Sequence, residues 1–142
     1  MRFALALSAV LVLFSSPTLG QEPTPPPIVV NGLQALVSVS IDSAVVIWMK
    51  GSSLEGDTAA AGQVTNAFRT LPAWLGKPIG FEVIKTFALG GHVRRTYALL
   101  LLDGGPMYFR FTYYLGSKGW VLLHLDFNTE EEKILPPGLL LP

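Results

Sequence analysis

The chain predicts an α+β domain: two N-terminal helices packed on a curved, four-stranded antiparallel meander, closed by a short C-terminal turn. Three observations carry this expectation. Apolar residues recur at three- and four-residue steps as far as Leu71, the spacing of a helix face. Beyond Pro78 the pattern changes to four apolar-rich runs parted by short glycine turns. Turns that short join antiparallel neighbours, and helices followed by consecutive strands give the α+β order.

The first 20 residues read as a signal peptide. Arg2 is followed by an apolar stretch, Ser15, Ser16 and Pro17 interrupt it, and Leu19 separates the small pair Thr18 and Gly20 before Gln21. The run is shorter than the roughly 20 apolar residues that span a bilayer. Cleavage near Gly20 and export to a periplasm or the medium are therefore expected. Removing the leader takes away Arg2 and no acidic residue, which leaves nine Lys and Arg against ten Asp and Glu. Such a balance carries no basic stripe for nucleic acid. The chain holds no cysteine, so disulfides and thiolate chemistry are excluded. Half of its residues are apolar, enough for one core without staples.

Residues 21–31 read as a proline-rich linker, with Pro23, Pro25, Pro26 and Pro27 favouring an extended tether. The domain then spans 32–137. Leu33, Leu36, Val37, Ile41, Ala44, Val45 and Trp48 form the first helix face, with Asn31 as its expected cap and Gly51 as its stop. A second helix is expected over 58–71, capped by Asp57 or Thr58, with Ala60, Val64, Ala67, Phe68 and Leu71 on one side. The strands are expected at 79–87, 93–102, 107–115 and 120–128. Thr129 and Glu132 suggest a capping box and a short turn. Residues 138–142 are left as an apolar tail.

The turns suggest a register. A three-residue loop at Ser117, Lys118 and Gly119 would set Tyr113 opposite Leu123, Phe111 opposite Leu125 and Phe109 opposite Phe127. Arg110 would then face Asp126, and Thr112 would face His124. A loop from Asp103 to Pro106 would set Leu102 opposite Met107 and Leu99 opposite Arg110. One sheet face becomes apolar: Ala98, Leu100, Met107, Phe109, Phe111, Tyr113, Leu123, Leu125 and Phe127. It is assigned to the helices. On the first strand, Ile79, Phe81, Val83 and Phe87 are expected to be buried. The outer face carries Arg95, Tyr97, Leu99, Tyr108, Arg110, Thr112, Tyr114, Leu122, His124 and Asp126. Tyr and Arg with scattered leucines is an interface composition, so a homodimer through this face is expected; cross-strand pairs on a solvated face are the other reading.

Trp48, Gly51-Ser52, Arg95-Thr96-Tyr97, Gly105-Pro106, Phe109-x-Phe111, Tyr114, Trp120 and Phe127-Asn128-Thr129 together resemble small exported bacterial proteins of the NTF2-like (cystatin-like α+β roll) superfamily. The resemblance covers about residues 32–137. It implies sheet-mediated dimers and an apolar pocket between helices and sheet, here lined by Trp48, Phe68, Phe109, Phe111 and Tyr113. Some enzymes of that superfamily place a carboxylate and a tyrosine in the pocket.

The chemistry available is sparse. His124 and Asp126 lie two apart on one strand, general-base equipment or an interfacial ion cluster. Tyr113 points inward without an acid, because Glu82 is expected to face out. His92 and His124 lack a third metal ligand. The glycine pairs are turns, and Ser52 and Ser53 have no assignable base. No catalytic residue, metal or cofactor is assigned. Three functions stay open: a non-catalytic binding or structural module, a carrier of a small apolar ligand, or an isomerase- or dehydratase-type enzyme.

Overall fold

A computed structural model describes residues 22–142. The expected leader and Gln21 lie outside the described residues. Three α-helices precede a four-stranded antiparallel sheet: α1 (Pro27–Ser38), α2 (Ile41–Met49), α3 (Thr58–Arg69), β1 (Pro78–Leu89), β2 (Val93–Leu102), β3 (Gly105–Gly116) and β4 (Gly119–Asn128). The strands lie side by side in sequence order. The α+β class and the meander therefore hold, with three helices where two were expected. Among the described residues no helix is long and apolar enough to cross a membrane.

The expected linker is shorter than 21–31. Helix α1 starts at Pro27, which occupies the first helical position, where its missing N–H and fixed φ cost nothing. Asn31 is inside the helix, not its cap. The preceding residues are docked rather than free. Pro26 is buried, Arg94 Nη1 donates to the Thr24 carbonyl at 2.7 Å, and Glu22 pairs with Lys85.

The single helix face through Leu33 to Trp48 breaks at Val39 and Ser40. The Val39 and Ser40 N–H groups both donate to the Ala35 carbonyl, and the Ser40 hydroxyl caps α2 by accepting from Ser43 N at 3.1 Å. Ser side chains compete for backbone groups in this way. The apolar stripe continues across the break and conceals it. Asp57 caps α3 as expected, accepting from Ala59 N and Ala60 N at 3.0 Å. Helices α1 and α2 meet at Gly32, where a Cβ would fall 1.9 Å from Trp48 Nε1. Only a residue without a side chain lets the indole lie against α1.

Both later hairpins are tighter than expected. Leu102 pairs with Gly105 across the two-residue turn Asp103-Gly104. Relative to the expected register the strands are shifted by two residues, so each side chain keeps its face. Leu99 opposes Tyr108, Tyr97 opposes Arg110, and Arg95 opposes Thr112. Gly116 pairs with Gly119 across Ser117-Lys118. A one-residue change alone would invert β4, but a bulge at Leu123 restores the phase. Phe109–Phe127, Phe111–Leu125, Arg110–Asp126 and Thr112–His124 pair as expected, while Tyr113 opposes Leu122 instead of Leu123.

The core lies between the helices and the inner sheet face. Ala98, Leu100, Met107, Phe109, Phe111 and Tyr113 are fully buried there. The Trp48 ring packs on Phe109 and Phe111, and Phe109 stacks on Phe111. Leu125 and Phe127 are half-buried against this core, and Leu122 joins them in place of the exposed Leu123. On β1 two irregularities, between Pro78 and Gly80 and between Val83 and Lys85, change the expected alternation. Phe81 packs on the core, Ile79 and Val83 are exposed, and Phe87 lies on the outer face with its ring edge to Tyr97.

Candidate functional site

The outer sheet face was expected to be open, and the part of it around Tyr97 and Tyr108 is covered by the chain itself. After β4 a 3-10 turn at Glu131–Lys133 leads to Ile134 and Leu135, then to a second turn at Pro137–Leu139. Ile134 and Leu135 are buried with Tyr97, and Ile84, Tyr108, Leu139 and Leu140 pack around them. Tyr97 is thus a core residue, 4 % exposed. The expected tail at 138–142 is in part a strap, with Leu141 exposed beyond it. Tyr108 OH donates to Glu131 Oε2 at 3.4 Å; burial first, and the Glu131 charge second, raise its pKa.

Besides His124, what stays exposed on this face is the end carrying Arg95, Tyr114, Phe87 and Leu89. Arg95 Nε donates to Thr112 Oγ1 at 3.1 Å, and Tyr114 packs beside His92. A cleft of about 330 Å³ lies between Phe87, Leu89, Val93, Arg95 and Pro136 of the strap. Leu99 is half-buried. Leu122 leaves the outer set, because the Leu123 bulge turns it inward.

Arg110, Asp126 and His124 come together as expected. Arg110 donates from Nε at 3.0 Å and Nη2 at 2.7 Å to one Asp126 oxygen, and His124 Nε2 lies 3.4 Å from the other. The carboxylate is therefore shared with a guanidinium before it can orient the imidazole. Ser52 and His124 border the same groove. The Ser52 hydroxyl, however, donates to the Met49 carbonyl at 2.6 Å and accepts from Leu54 N at 3.1 Å. Ser52 therefore closes its own loop.

The five residues expected to line a pocket do not enclose one. Trp48, Phe109, Phe111 and Tyr113 fill the interior, and Phe68 closes on Phe127. Tyr113 belongs to a buried hydroxyl chain: its OH hydrogen-bonds Thr96, whose hydroxyl hydrogen-bonds Thr86 at 2.7 Å. Burial pushes the Tyr113 pKa up to about 12. Sequence reading placed Tyr113 inward but missed this chain, since Thr86 reaches Thr96 only through the β1 irregularity.

The open space lies one layer outward, between α2, α3 and β4. This groove holds about 350 Å³. Val45, Trp48 and Met49 of α2 form its floor, Ala60 and Val64 of α3 one wall, and Leu122, Leu123 and Leu125 of β4 the other. Ser52, Gln63 and His124 are its polar members, and among the described residues lining it none is Lys, Arg, Asp or Glu. Among the described residues no group of three His, Asp or Glu could hold a metal ion. Of the predicted lining only Trp48 is shared. The other groove residues came from positions read as helix, strand or, for Ser52 and Leu54, loop, and their separation depends on how far α3 stands from β4. Comparison with protein-family models, curated proteins and solved structures finds no match for this chain.

Proposed function

We propose that the chain is a non-catalytic binding module, exported by its leader, that holds a small uncharged apolar molecule in the groove between α2, α3 and β4. The carrying observation is the groove's lining: apolar on three sides, with two neutral hydrogen-bonding side chains and one imidazole. A charged group desolvated there would find no Asp, Glu, Lys or Arg among the described residues lining the groove to repay the cost. The volume lies at the lower end of small-molecule sites, so the ligand is compact. The NTF2-like resemblance agrees with a pocket between helices and sheet and belongs to this proposal.

The test is a titration of the mature chain with the uncharged fluorophore N-phenyl-1-naphthylamine. One probe per chain is expected, with a Kd on the order of micromolar. Val64→Asp should weaken it at least about tenfold, by placing an unpaired charge in the wall. Leu89→Asp, on the other sheet face, should leave it unchanged. Absent saturation, or equal loss in both variants, would overturn the reading.

A second reading is supported by the uncovered end of the outer face. Phe87, Leu89 and Tyr114 are exposed there beside Arg95, the composition that favours association. Homodimerisation through this reduced patch is proposed alongside ligand binding, and the two faces do not overlap.

A further inference from the structure

We propose that α3 is a lid over the groove, hinged at its two flanking loops and latched to α2 by the ion pair of Asp42 and Arg69. The inference rests on the ligand reading for its purpose, but the opening of α3 can be measured without any ligand.

Helix α3 is seated loosely. Of its 12 residues Thr65 alone is buried. Its other inward residues, Ala60, Ala61, Val64 and Phe68, are partly buried against the core. The groove lies under one side of it. On its other side two clefts of about 410 and 260 Å³ separate it from α2, and the exposed Val46 borders both. A helix with space on both flanks gives up little packing when it moves. Segments with few buried contacts open at low free-energy cost.

The connections suit a hinge. The loop before α3 is closed at Ser52, but just ahead of the helix it holds Gly56 at φ 81° with open space around it, a position where glycine can change conformation without steric cost. After α3 the chain is anchored again at Leu75, which is buried and whose carbonyl accepts from Gly104 N at 2.9 Å, so the second hinge lies between Arg69 and Leu75. Asp42 and Arg69 form a polar bridge from α2 to the far end of α3. The guanidinium Nη2 lies 2.7 Å from Asp42 Oδ2, and both side chains are 59 % exposed. A pair that wet is a weak, reversible fastening.

Opening on this hinge would widen the wall formed by Ala60 and Val64 and admit a ligand to Trp48. Closing would remove it from water.

Hydrogen exchange followed by mass spectrometry on the unliganded mature chain tests the lid itself. The α3 amides are expected to exchange together, at least about tenfold faster than those of α2. Protection of α3 equal to that of α2 overturns the proposal, whether or not the naphthylamine binds. Stopped-flow mixing with the naphthylamine adds the latch. Asp42→Asn should speed both association and dissociation by roughly two- to fivefold, the worth of an exposed ion pair, with Kd nearly unchanged. The double variant Asp42→Cys, Arg69→Cys, joined by a short bismaleimide in a chain that has no other thiol, should slow both rates. Unchanged rates in the joined protein overturn the lid. Fast α3 exchange without probe binding leaves the lid standing and removes the ligand reading.

Discussion

Tyr113 shows what one buried hydroxyl does to the molecule. Its OH is fully enclosed and bonded to Thr96, and its pKa is pushed up to about 12 by burial. An unfolded tyrosine ionises near 10. Between these values the unfolded chain sheds a proton that the folded chain keeps, so stability is intact below about pH 10 and falls as pH rises toward 12. The loss is roughly 2 kcal/mol by the upper limit. Urea midpoints measured from pH 8 to 12 should fall across that window, and Tyr113→Phe should flatten the fall. At neutral pH the same variant should cost about 1 kcal/mol, the worth of the lost hydrogen bond. The alternation of β3 made the inward direction of Tyr113 legible. Its hydroxyl partners were not, because they come from two other strands.

At the scale of elements, the C-terminal strap is the largest revision. Ile134 and Leu135 are buried on Tyr97, so this segment acts as a cover on the sheet. Ile134→Ala should destabilise the fold by about 2 kcal/mol, the lower end for a buried isoleucine at a small cluster. Urea denaturation measures it, and a change below a few tenths would mean that the strap is not seated. The capping box expected at Thr129 and Glu132 made a turn legible after β4, but the box itself does not form: Glu130 precedes the turn without a side-chain cap, and its N–H donates to Asn128 Oδ1 at 3.0 Å. That Ile134 and Leu135 fold back was not legible, since so short an apolar patch carries no direction of its own. The α1–α2 break and the proline start of α1 were concealed for a related reason. The apolar stripe reports which side faces inward, not whether the backbone continues beneath it.

For the whole molecule, the strap leaves one uncovered apolar patch on the outer face and the groove on the inner side. The proposed dimer predicts that light scattering on residues 21–142 at about 10 μM gives twice the chain mass. Leu89→Arg should return it to a single chain without changing naphthylamine binding. The mass of one chain for the unmutated protein would remove the dimer and leave the ligand reading untouched.

The sequence by itself determined the class, the strand order, the inner stripe from Ala98 to Tyr113 and the cluster of Arg110, Asp126 and His124. Each follows from period and spacing along one or two neighbouring strands, where chain geometry leaves few choices. The tertiary structure alone decided the two-residue turns, the Leu123 bulge that corrects one of them, the strap over Tyr97 and the groove under α3. Those depend on how volumes from distant segments fit. A bulge is placed where it repairs a face, and a cavity exists where two elements fail to close. Neither quantity is a property of any single stretch of chain.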